Sequence, residues 1–182
     1  MINTPVHNFV NMITINGTYF ENGKTTIKPI HIKTQWSEVT FKEYCRLCDN
    51  NDPDPAKRLI VQLSILSGLK IKEIKSFNED TIARIAGMIL FSRNTDEVEQ
   101  SVNIPKELKG FNIGLRPYGD ILKIKRKYNE LVKAKKNRIH LGKLLCKLFL
   151  NEDVDDKPIL EVIGKTNFFL ACFLSSLTPT KG

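Results

Sequence analysis

The sequence predicts a mainly α-helical α+β fold, with an N-terminal β-hairpin followed by a helical bundle-like domain that has a short β connector. Three observations lead there. Residues 13–33 alternate Thr, Ile and Tyr around two Asn-Gly pairs, long stretches beyond residue 40 repeat apolar side chains at helical spacing, and those stretches carry clear start and stop signals. Residues 1–34 are accordingly expected as a hairpin arm and residues 35–182 as a helical domain, with the connector at about 94–119.

Asn16-Gly17 and Asn22-Gly23 both favour the positive φ angles of tight hairpin turns. Pro29 withholds an amide from the second strand, Thr25 to Ile32, so that strand either lies at an edge, where it could accept another chain's strand, or breaks there. Thr40-Phe-Lys-Glu43 reads as a capping box, in which hydroxyl and carboxylate satisfy free amides reciprocally, so a helix starts there. Asp54-Pro55 supplies an N-cap and a proline at the first helical position, and Gly68 a stop. The intervening Leu59 to Leu66 is apolar on most sides, which predicts that this helix occupies the centre of the core. A short segment, Ile71 to Phe77, and a helix from about Asp80 to Ser92 flank it.

From Asn94 to Gly119 the helical period fades, and Ser101–Ile104 and Phe111–Ile113 read as short β pieces. Helical spacing returns at Ile121, Ile124, Tyr128, Leu131 and Val132, and again at Leu141, Leu144, Leu145, Leu148 and Phe149. This fits two amphipathic helices, or one interrupted near Gly142. An acidic turn, Asn151 to Asp156, leads to a last helical region ending before Pro179.

A chain of 182 residues, 41% hydrophobic and 26% charged, has the balance of an ordinary globular protein and can bury a core without disulfides or metal. Of the four cysteines, Cys45 and Cys48 form a Cys-x-x-Cys pair inside a helix, with no second pair or neighbouring histidine to complete a zinc site. They read as small buried apolar residues. The first ten residues lack a basic region followed by an apolar stretch, so no signal peptide is expected. The longest apolar run, Phe168 to Leu174, is far shorter than the roughly 20 residues of a membrane span, so no membrane partner is expected.

His7, His31 and His140 are widely separated, phosphate-binding and nucleophile-elbow motifs are absent, and the acidic turn lacks the glycine and terminal glutamate of a calcium loop. The expectation is a non-enzymatic protein with no catalytic, metal or cofactor site. Its +8 charge is local, because Lys123 to Lys147 holds ten basic residues and one acid while the remainder has 18 basic against 19 acidic. On a helix Lys123, Arg126, Lys127 and Lys133 fall opposite the stripe of Ile121, Ile124, Tyr128 and Leu131, and Lys136 follows. Without interleaved exposed aromatics, such a face supports at most sequence-independent contact with phosphates. A solvated face, or one meeting an acidic neighbouring subunit, is the commoner outcome. Phe168 and Phe169 either complete the core, the usual fate of such clusters, or insert into a partner.

Gln35-Trp-Ser-Glu-Val-Thr-Phe-Lys-Glu-Tyr44, Leu63-Ser-Ile-Leu-Ser-Gly-Leu69, Ile113-Gly-Leu-Arg-Pro-Tyr-Gly-Asp120 and Thr166-Asn-Phe-Phe-Leu170 together span most of residues 30–175. Their layout resembles small proteins from the structural-gene region of tailed bacteriophages, including crAss-like phages. The resemblance implies a virion protein made in the host cytoplasm. It would be a homo-oligomeric ring or connector subunit at the head-to-tail junction, touching portal or tail subunits and, non-specifically, packaged DNA. A tail assembly chaperone absent from the mature virion is one alternative, and a sequence-independent nucleic-acid-binding protein, suggested by the basic helix, is a second. Trp36, Thr40 and Gly68 match the pattern, and each has a physical reading, as core anchor, N-cap and C-cap.

Overall fold

A computed structural model describes residues 13–95 and 110–177, together with Val98 and Leu108. The expected β piece at Ser101–Ile104 lies outside the described residues. The fold is α+β and mainly helical, with one two-stranded antiparallel sheet.

Strands β1 (Ile13–Glu21) and β2 (Lys24–Ile32) pair from Ile13↔Ile32 to Glu21↔Lys24 around Asn22-Gly23. Asn22 and Gly23 have φ of 52° and 74°, the two positive values that match a two-residue turn to the twist of its strands. Asn16-Gly17 makes no turn. Gly17 pairs with Lys28 inside the ladder, and a Cβ there would lie 2.1 Å from Ile30 Cδ1 and 3.1 Å from Phe77 Cε1. Glycine is needed at this position because other side chains press against the backbone.

The described part of the expected hairpin arm, residues 13–32, is packed onto the helices. Ile15, Tyr19, Ile30 and Ile32 are buried, and Ile15, Ile30 and Ile32 belong to the same hydrophobic cluster as the helices. Backbone bonds fasten the outer edge of β1: Phe20 N–H donates to Ser76 C=O (2.8 Å), and Asn78 N–H donates to Thr18 C=O (3.0 Å). The alternation of the ladder then turns Thr25, Ile27, Pro29 and His31 of β2 outward. Pro29 therefore costs the hairpin no internal bond, and it interrupts the one edge left open.

Trp36 lies in a short turn of 3₁₀ helix, Trp36–Glu38, before α1 (Phe41–Cys48). It is buried, stacks edge-on with Tyr44 and Phe91, and donates Nε1–H to the Asn94 carbonyl at 3.0 Å. The capping box forms as expected: Thr40 Oγ1 accepts from Glu43 N–H, and a Glu43 carboxylate oxygen accepts from Thr40 N–H at 2.9 Å. The same oxygen takes the Lys33 ammonium, joining β2 to α1. Helix α2 (Pro55–Ser67) has Asp54 at its N-cap, Pro55 in the first turn and Gly68 in the left-handed region at φ 70°. After α3 (Ile71–Ile74), Asn78 caps α4 (Glu79–Met88), and a 3₁₀ turn, Leu90–Arg93, carries the chain on.

Phe111–Ile113 is not a strand. Asn112 Oδ1 accepts from Gly114 N–H and starts a 3₁₀ turn, Ile113–Leu115, from which α5 (Tyr118–Lys133) follows. The next two helices, α6 (Leu141–Leu150) and α7 (Ile159–Leu177), close the fold. The break between α5 and α6 falls at Lys135, in the left-handed region, and at Asn137, whose Oδ1 caps the following 3₁₀ turn. Gly142 is inside α6, where it allows close contact with α7.

The central helix is α7 and not α2. Ile159, Val162, Ile163, Gly164, Thr166, Phe169, Leu170 and Phe173 of α7 are buried, whereas α2 buries Leu63, Ile65 and Leu66, all in its C-terminal half. By length and composition α7 is apolar enough to cross a membrane, a property it shares with core helices of globular domains.

Candidate docking surfaces

Phe169 is fully buried and Phe168 half-buried. Both pack with Phe111, at ring-centroid separations of 4.9 and 5.9 Å, and Phe149 adjoins the cluster. They complete the domain's own core, which removes them as a partner-binding surface. The Arg116 guanidinium lies over Phe111 and Phe149 and covers the outer side of the cluster.

Lys123, Arg126, Lys127, Lys133 and Lys136 are all exposed, on or just after α5, whose buried side is Ile124 and Leu131. The helix's two acids are already engaged, Asp120 by Lys123 at 3.1 Å and Glu130 by Lys127 at 3.2 Å. Lys125, Arg126, Lys133, Lys135 and Lys136 have no ion pair with any acid among the described residues. Two acids of the acidic turn are engaged locally as well. Glu152 holds Lys157 and Lys165, and Asp155 holds Lys143. The hydrogen bond from Lys157 lowers the Glu152 carboxyl below its ordinary range, a bond from Lys165 adds to this, and burial opposes both.

Two exposed apolar patches escaped the sequence reading. On the outer face of the hairpin, Phe20 is 59% and Ile27 is 65% exposed, on diagonal positions near the turn. At the start of α5, Leu115 is 82% and Tyr118 is 73% exposed, with Leu122 one turn on. Tyr118 is also an exposed aromatic beside the basic helix, where none was expected. The signal in the sequence was present but weak: Tyr118 and Leu122 are spaced i, i+4 and lie off the Ile124–Leu131 stripe.

The cysteines offer little nucleophilic chemistry. Burial pushes Cys45 well above the ordinary thiol range and Cys146 up to about 11, so both stay neutral thiols at pH 7. His140 Nε2 meets Asp49 Oδ2 at 2.7 Å, and Asn137 N–H donates to the other oxygen at 3.1 Å. This ties the end of α1 to the α5–α6 connection. A neighbouring cleft of about 460 Å³ is lined by Tyr44, Cys48, Ile139, Asn167 and Leu170. A second, of about 520 Å³, opens between the hairpin and α3, where Lys28 lies 4.4 Å over the Tyr19 ring. Among the described residues, no three His, Cys, Asp or Glu side chains gather as metal ligands. No protein family, curated protein or solved structure matches this chain.

Proposed function

We propose that this chain is a non-enzymatic assembly subunit that associates with copies of itself through the outer face of its hairpin. The observation that carries the reading is the exposure of Phe20 and Ile27 beside the turn of a hairpin whose other face is anchored in the core. Two large apolar side chains held in water on a fixed scaffold gain free energy when a partner covers them. Leu115, Tyr118 and Leu122 offer a second patch, for a different neighbouring protein. Placement in a tailed-phage particle, as a ring or connector at the head-to-tail junction beside portal or tail subunits, comes from the resemblance of residues 35–44, 63–69, 113–120 and 166–170.

Association through Phe20 and Ile27 relies on side chains more than on strand addition, because Pro29 interrupts the open edge of β2. An exposed Phe168–Leu174 surface would favour the chaperone alternative, whereas Phe169, Leu170 and Phe173 are buried. The test is sedimentation velocity of the full chain over a hundredfold range of concentration. Wild type should form a defined oligomer, and Phe20→Asp with Ile27→Asp should sediment as a monomer with an unchanged circular dichroism spectrum. A wild type that stays monomeric throughout, or a variant that still assembles, overturns the reading.

A further inference from the structure

We infer that the C-terminal half of α5 and the turn after it form a binding face for the sugar-phosphate backbone of duplex DNA, read without regard to sequence. This stands apart from self-association through the hairpin. Three observations carry it. First, Lys125, Arg126, Lys133, Lys135 and Lys136 are exposed and ion-paired with no acid among the described residues. Second, the two acids of α5 are held by Lys123 and Lys127, which leaves the free cations unopposed. Third, these cations are spaced along the helix and the turn after it, and none of them lines either cleft described above. From Lys125 to Lys133 the helix rises about 12 Å at 1.5 Å per residue, and Lys135 and Lys136 follow in the turn that caps it.

A small anion is held by converging donors. A row of separated point charges suits a ligand whose own charges repeat along its length. Between the cations stand Asn129, a hydrogen-bond donor able to reach phosphate oxygens, and the small Ala134. The apolar Leu115, Tyr118 and Leu122 lie at the other end of the helix. Val132 is the large exposed apolar side chain within the basic half. An acidic protein surface would want more apolar contact than this half offers, and a lipid surface would want its apolar side chains interleaved with the cations.

The test is fluorescence anisotropy of the full chain with a labelled 20-base-pair duplex, in two unrelated sequences, between 25 and 200 mM salt. Saturable binding of equal strength to both is expected, with a slope of log K against log salt of about −3 for roughly three phosphates neutralised. Lys125→Glu, Arg126→Glu and Lys133→Glu together should weaken binding at least tenfold. An equal charge change elsewhere, Lys42→Glu, Lys57→Glu and Lys72→Glu, should weaken it less than threefold. Circular dichroism shows that each variant is folded. No saturable binding at 25 mM salt overturns the inference, as does an equal loss in both triple variants. Tighter binding to vesicles containing phosphatidylserine than to the duplex, lost in the α5 variant, assigns the face to a membrane and overturns it too.

Discussion

Gly142 of α6 lies directly against Thr166 of α7: a Cβ on Gly142 would lie 2.1 Å from Thr166 Cγ2 and 3.1 Å from both Cβ and Oγ1. Thr166 is fully buried and β-branched, so it has no alternative rotamer into open space. Gly142→Ala should destabilise the chain by about 1–3 kcal/mol despite alanine's better helix propensity, because overpacking at a rigid contact outweighs it. Urea unfolding measures this, and Thr166→Ser, which removes the clashing methyl, should recover part of the loss.

Trp36 is the chain's single tryptophan, so its fluorescence reports on the core. Emission should be blue-shifted and resist acrylamide quenching until unfolding. Trp36→Phe removes ring volume and the hydrogen bond to the Asn94 carbonyl, and should cost about 2 kcal/mol. An equal unfolding midpoint for both proteins would show that this anchor is dispensable.

The start of α1 depends more on Glu43 than on Thr40. Thr40→Ala removes one cap and should cost about 1 kcal/mol. Glu43→Ala should cost more, since the same carboxylate serves the Thr40 amide and hydroxyl and the Lys33 ammonium. Thermal melts of the two variants give the order.

Glu152 gives a pH dependence of known sign. Its folded pKa is lowered, chiefly by Lys157, so its contribution is full above the unfolded carboxylate value of about 4.3 and is lost as pH falls through the lower folded value. Wild type should therefore exceed Glu152→Gln in stability at pH 7, and the gap should close steadily below about pH 4. A gap independent of pH would show that the carboxylate's charge contributes nothing.

Cysteine labelling separates the four thiols. Cys45 and Cys146 are buried with raised pKa; Cys48 and Cys172 are half-buried, although burial raises the Cys172 thiol as well. Iodoacetamide at pH 8 should modify Cys48 and Cys172 in the native state, and Cys45 and Cys146 only in denaturant, as peptide mass spectrometry would show.

What the sequence revealed correctly was local. The turn at Asn22-Gly23, the box at Thr40 and Glu43, and the ends of α2 at Asp54 and Gly68 each depend on residues within a few positions of one another, and each forms as read. What it hid depends on distant partners. Gly17 and Gly142 look like breaks until Ile30, Phe77 and Thr166 are seen against them. Neither α2 nor α7 announces which of the two will be surrounded. The basic side chains of α5 were legible from period alone, but the exposure of Phe20, Ile27, Leu115 and Tyr118 depends on where the rest of the chain declines to go.

The fastening of β1 to Ser76 and Asn78, with Pro29 set in the outward row of β2, hinders backbone pairing at both edges of the hairpin. A strand that docked on β2 would meet a missing donor at Pro29. If copies of this chain associate as proposed, the same features select against fibrils and for assemblies of finite size.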